Sequence, residues 1–349
     1  MTTEQNKDQS TNNRLYSAEV SQDSALNTTT ISLYSTDQSN SSHNILVSIA
    51  PEYGSNLFRL RFGEHDLIYT DQELLTKREF TGTIVLWPFP NRVRNKRYTY
   101  QGQSYSLENV HRPGGYTTLI HGLVFDRLWQ YTQPVIGVDA VSVTTYVDVN
   151  PDSPHYSAYP FDSRLSLTYT LSGTELTMTY QVYNKSALTL PFGFAMHPYL
   201  STFADKHEVL LSIPAQAVME TDDALLPTGR IFDVTKVMYA MYDLREPVPV
   251  DFLKLDHVYT QLNKHSLSIV DYKTLALQLH ISATDDFTHV VIFTPRQAPS
   301  FCIEYQTCST DAINLHHQGT ALREAAHLIE VQPGATFGGV LRYNIVSTA

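Results

Sequence analysis

The chain has 349 residues, 42% of them hydrophobic and 17% charged, with a formal net charge of −11. That composition supplies ample material for a globular core, and the negative balance argues against nucleic acid or an anionic membrane surface as the main partner. No apolar run approaches the ~20 residues of a membrane span, and residues 1–8 lead into no signal-peptide core, so the expected compartment is the cytoplasm.

Residues 1–30 are rich in Ser, Thr, Asn, Gln and Asp and read as a flexible polar tail, with a first strand near 30–34. From there to residue 349 the pattern is that of a single domain of short strands: 45–50, 57–62, 83–87 and 97–100, the last turning at Gln101-Gly102-Gln103 into 104–107. Strands resume at 126–131, 140–148, 163–171 and 175–184. Leu165, Leu167, Tyr169 and Leu171 alternate on one, Leu176, Met178, Tyr180 and Val182 on the next, as in a long hairpin with one buried face. Further strands fall at 190–196, broken by Pro198, then at 207–213, 216–221, 266–270, 274–281, 289–294, 300–306 and 334–346. One short helix is expected at 321–326. Antiparallel strands with turn punctuation and very little helix imply an all-β fold, a sandwich or a closed sheet.

The strand Ser300-Phe301-Cys302-Ile303-Glu304-Tyr305-Gln306 organises the rest. Its alternation turns Phe301, Ile303 and Tyr305 to a core and leaves Glu304 between a thiol and an amide on the other face. If the strand stays extended past Gln306, Cys302 and Cys308 stand about 20 Å apart. A disulfide needs Cα atoms within roughly 7 Å, so two reduced thiols are expected. Dinucleotide, P-loop, zinc-protease, serine-hydrolase and C-x-x-C motifs are absent, and His316-His317 reads as a solvated loop pair; no metal site is assigned.

Four more stretches carry chemistry: Asn91-Arg92 after a Trp-Pro-Phe-Pro loop, Ile120-His121-Gly122, His197-Pro198-Tyr199, and Asp256-His257. Gly122 would let backbone approach a ligand closely, and Pro198 would set His197 in extended geometry and halt the ladder there. Each has an ordinary structural alternative: a surface Glu or Arg, a hydrogen-bonded His, a turn Asp.

In their order along the chain these stretches resemble the aldose 1-epimerase (galactose mutarotase) family. Asn91-Arg92 is similar to its N-R motif, Ile120-His121-Gly122 to L-H-G, and His197-Pro198-Tyr199 to H-P-Y. Glu304 lies on the late strand that bears the family's Glu, and Asp311-Ala312-Ile313-Asn314 is similar to the D-A-x-N that follows. The resemblance implies a large twisted antiparallel β-sandwich, the galactose mutarotase-like supersandwich, acting on a monosaccharide as monomer or homodimer. It also implies interconversion of α and β anomers by ring opening and reclosure, with no cofactor. Glu304 would be the base and His197, as imidazolium, the acid; His121 and Arg92 would hold sugar oxygens. Asp256, Asn91, Gln306 and Tyr199 would bind the sugar, with Trp87, Tyr116 and Tyr199 as walls. Two alternatives stay open: a hexose-6-phosphate epimerase using Arg92, Arg94, Arg97 and Arg112 for the phosphate, and a sugar-binding protein without turnover.

Overall fold

Alternation sets the framework. The strands Ser163–Ser172 and Glu175–Asn184 pair antiparallel with Leu165 opposite Val182 and Leu167 opposite Tyr180. The eight alternating apolar side chains of this hairpin are all buried. Each fully buried residue of this size contributes about 1.5–3 kcal/mol. The hairpin sits inside a ten-stranded antiparallel sheet that also holds Thr336–Ser347 and Leu277–Ala283. The computed structural model describes residues 13–111 and 118–348.

A seven-stranded antiparallel sheet packs against it. Its order is Pro227–Asp233, Ala215–Thr221, Asp256–Leu262, His289–Phe293, Ser300–Gln306, Ala195–Ser201, Thr83–Leu86. Phe301, Ile303, Ile292 and Val85 share one core cluster with Leu165, Tyr180, Leu279 and Tyr343 of the larger sheet, which makes the all-β sandwich. The opposite face of the seven-stranded sheet therefore points away from that core, and Glu304 lies on it at the centre of the sheet.

The N-terminus departs from expectation. Arg14–Asp23 is a strand paired over its full length with Thr28–Asp37, and both belong to a five-stranded sheet. The expected tail therefore ends before Arg14, and residues 1–12 lie outside the described residues. The polar composition misled because only one face is buried: Tyr16 is buried and Ala18 partly so, while the other face carries Ser17, Glu19 and Ser21. The expected strand at 126–131 shrinks to Gln130–Tyr131, and the helix at Thr320–Ala326 is joined by short helices at Gln72–Thr76 and Ala312–Leu315. Pro198 does not end its strand, which runs to Ser201. Its ladder to Ser300–Gln306 is formed at Ala195 and from Tyr199 onward, and skips Met196–Pro198. Losing the proline N–H breaks the ladder locally without ending the strand.

Candidate active site

Register brings the central pair together. Ala195 stands opposite Gln306 and Tyr199 opposite Cys302, so His197 faces Glu304 across neighbouring strands. His197 Nε2 lies 3.3 Å from Glu304 Oε1. Glu304 is 2% exposed and His197 3%, so the strand carboxylate is no surface residue. The Gln306 amide, two residues along on the same face, donates to Glu304 Oε2 at 3.3 Å. Burial holds the Glu304 carboxyl well above its ordinary range; the charge of Asp256 adds to this, and Gln306 and Arg92 oppose it. Burial pushes the His197 imidazole down to about 3. Burial thus disfavours both charged forms at this contact, the Glu304 carboxylate and the His197 imidazolium.

His121 completes the cluster from a loop. Its ring meets His197 edge-on at 4.9 Å between centroids, and Phe80 packs on it at the same distance. Tyr199 stacks on His197, 4.8 Å away and 15° from parallel. His121 has φ +65°, uncommon for a residue with a side chain. Its backbone N–H donates to the Asn91 carbonyl at 2.8 Å. Gly122 follows at φ +69°, and a Cβ there would lie 2.3 Å from the Trp87 carbonyl oxygen. The close approach that requires glycine is therefore to the protein's own backbone, not to a ligand.

The rim is charged. Arg92 donates to the Asn91 side-chain oxygen at 2.9 Å, and its guanidinium lies 3.7 Å from Asp256. Burial raises the Asp256 carboxyl and Arg92 works against it. Asp256 opens its strand and stands opposite Phe293, two strands from Glu304 on the same face. The Arg92 loop is braced from behind. Asp311 accepts from the Arg94 N–H at 3.1 Å and from the Asn314 amide at 2.7 Å, and its own N–H donates to the Arg92 carbonyl at 3.0 Å. Arg94 also bonds Asp222 at 3.1 Å.

Glu304, His197, His121, Tyr199, Gln306, Asn91, Arg92 and Asp256 are thereby linked by direct contacts into one cluster. Trp87 is not among them. It is fully buried in the sandwich core against Tyr159, because alternation puts it on the face of Val85 and not that of Ile84. Tyr116 and Arg112 lie outside the described residues. His316 is no solvated loop residue: its side chain is 9% exposed and lies 3.6 Å from Glu330. Cys302 and Cys308 are free thiols, and burial pushes the Cys302 thiol well above its ordinary range. Phe80 against His121 and Asp222 against Arg94 escaped sequence reasoning, since neither stands in a motif.

The profile of the aldose 1-epimerase family matches residues 39–344. The chain is 27% identical over 233 residues to the uncharacterized protein YihR of Escherichia coli strain K12, covering 66% of this chain and 71% of that protein. It is 25% identical over 275 residues to the galactose mutarotase of Sus scrofa, covering 76% of this chain and 64% of that one, a little under two thirds of its length. Among solved structures, a galactose mutarotase-like protein from Clostridium acetobutylicum shares the fold with a TM-score of 0.79 at 17% identity, covering 96% of this chain and 99% of the other. The galactose 1-epimerase from Lactobacillus acidophilus NCFM does so with a TM-score of 0.72 at 15% identity and the same coverage.

Proposed function

Because the chain belongs to the aldose 1-epimerase family, we propose that it interconverts the α and β anomers of a free aldose such as glucose or galactose. The observation that carries this reading is the buried contact of 3.3 Å between His197 Nε2 and Glu304 Oε1. Mutarotation needs a base at the anomeric hydroxyl and an acid at the ring oxygen, with one proton shared between the two groups at the start. The resting pair holds one proton. On binding, sugar hydroxyls solvate the pair and the proton passes to His197. Glu304 then takes the proton from O1 as His197 delivers its own to the ring oxygen. The bond between C1 and the ring oxygen breaks and leaves an aldehyde. Rotation about C1–C2 presents the other face, and the same transfers in reverse close the ring. The proton count of the pair is unchanged after each half-cycle.

His121 at the edge of His197 orients the imidazole and reaches for the ring oxygen. Arg92, Asn91 and Asp256 bind hydroxyls at the rim, and Tyr199 supplies a flat wall. A phosphorylated hexose fits less well. Arg94 is engaged by Asp222 and Asp311, and Arg92 by Asp256, so neither guanidinium is uncommitted.

Polarimetry on freshly dissolved α-glucose and α-galactose tests the reading. Wild type accelerates anomer exchange above the spontaneous rate and Glu304→Gln does not. Acceleration on glucose 6-phosphate in preference to glucose would transfer the reading to the phosphorylated sugar. Saturable sugar binding without acceleration would make the protein a binding module.

A further inference from the structure

The polar face of the N-terminal sheet is not used by this chemistry. On that face Glu19 stands opposite Ser32, Ser21 opposite Thr30, and Ser32 opposite Ser48. Together with Tyr34 they form one side of a cleft of about 640 Å³. The 66–75 stretch forms the other side with Tyr69 and Thr70. That volume lies in the usual range of small-molecule sites, roughly 300–1,000 Å³.

We propose that this cleft binds a neutral saccharide at a site separate from Glu304. Two observations carry the proposal. The chemistry is that of sugar recognition: the hydroxyls of Ser32 and Ser48, 3.3 Å apart, beside the rings of Tyr34, Tyr69 and Phe58. The charges disfavour an anion. Glu19, Asp23 and Asp66 line the cleft against one cation, Arg59, which lies 3.5 Å from Asp66.

The cleft is built partly by strands outside the 39–344 stretch that the family profile matches. It also borders the strand of His197: the Tyr69 N–H donates to the Tyr199 carbonyl at 2.7 Å, and Ser201 lines the cleft. The proposal does not depend on the reaction at Glu304.

An amide NMR titration of the full chain with methyl α-glucoside, methyl β-galactoside and maltose tests it. The locked anomeric centre of the two methyl glycosides prevents ring opening. At least one probe produces saturable shifts at Ser32, Ser48, Tyr69 and Thr70. Ser32→Trp, at a half-buried position that fills the cleft, weakens that binding by at least about tenfold and leaves mutarotation within about twofold of wild type. Tyr69→Ala serves the same purpose if the tryptophan unfolds the sheet. The cleft shifts persist in Glu304→Gln, so a failed mutarotase reading leaves this result standing. Absence of saturable cleft shifts with all three probes overturns the proposal. So does unchanged binding in a folded cleft variant.

Discussion

The two halves of the site are built in opposite ways. Glu304, Gln306, His197 and Tyr199 are carried by two paired strands, and of these only Tyr199 is more than a few per cent exposed. Asn91, Arg92 and His121 sit on and beside the short strand pair Arg92–Val93 with Leu119–Ile120, outside the large sheets, and Arg92 and Asp256, the latter at the start of its strand, reach solvent with side chains 13% and 32% exposed. The strand half is fixed by neighbouring strands on both sides, and burial disfavours charge there; the rim half carries the charge and depends on braces such as Asp311. Groups that exchange a proton gain from rigid placement in a low dielectric, whereas groups that grip hydroxyls need only be close and hydrogen-bonded.

That contrast breaks most sharply on the strand side. Glu304→Gln and His197→Asn each lower kcat by about 10²–10⁴ with little change in KM and with the fold intact, measured by polarimetry and circular dichroism. Loss in KM alone would move the chemistry off this pair. On the rim side, Arg92→Met or Asp256→Asn reduces kcat/KM by about 10–100-fold, the value of one to two hydrogen bonds to a charged group, and most of the change falls in KM. Asp311→Ala, which deprives the Arg94 N–H and the Asn314 amide of their carboxylate partner, lowers stability by about 1–3 kcal/mol in urea titrations and raises KM through the loosened Arg92 segment. An Asp311→Asn variant recovers part of both.

The smallest effects concern protons. With His197 held at about 3, the acid limb of the kcat/KM profile lies near that value and not near 6.5. A limb at 6.5 would mean that the pair is solvated. The folded Glu304 carboxyl has a raised pKa, so its contribution to stability is complete below its ordinary value of 4.5 and is lost as pH rises toward the folded value. Glu304→Gln lacks that loss. The melting temperature of the variant, relative to wild type, therefore increases from pH 5 to pH 8.

Period-2 alternation made most of this molecule readable. The strand Ser300–Gln306 and the hairpin of Ser163–Ser172 with Glu175–Asn184 follow directly from it, because one face of each is apolar throughout. Short motifs singled out Glu304, His197 and Arg92, which the fold brings into one cluster. What misled was chemistry that looks the same in two settings. A polar edge strand reads like a tail, as at Arg14–Asp23. Trp87 reads like a sugar wall until its strand parity places it in the core. The protonation of the pair could not be read either, since neither residue reveals from its neighbours in sequence that the other lies 3.3 Å away.

Burial that disfavours charge on both Glu304 and His197 has a consequence for how a substrate arrives. A chain of net charge −11 would repel anions and draw cations over a Debye length of about 8–10 Å. An uncharged guest entering a pair with no net charge feels no such force. Encounter is then governed by diffusion and shape alone. If the proposed reading holds, turnover on a neutral aldose is as fast in concentrated salt as in dilute buffer.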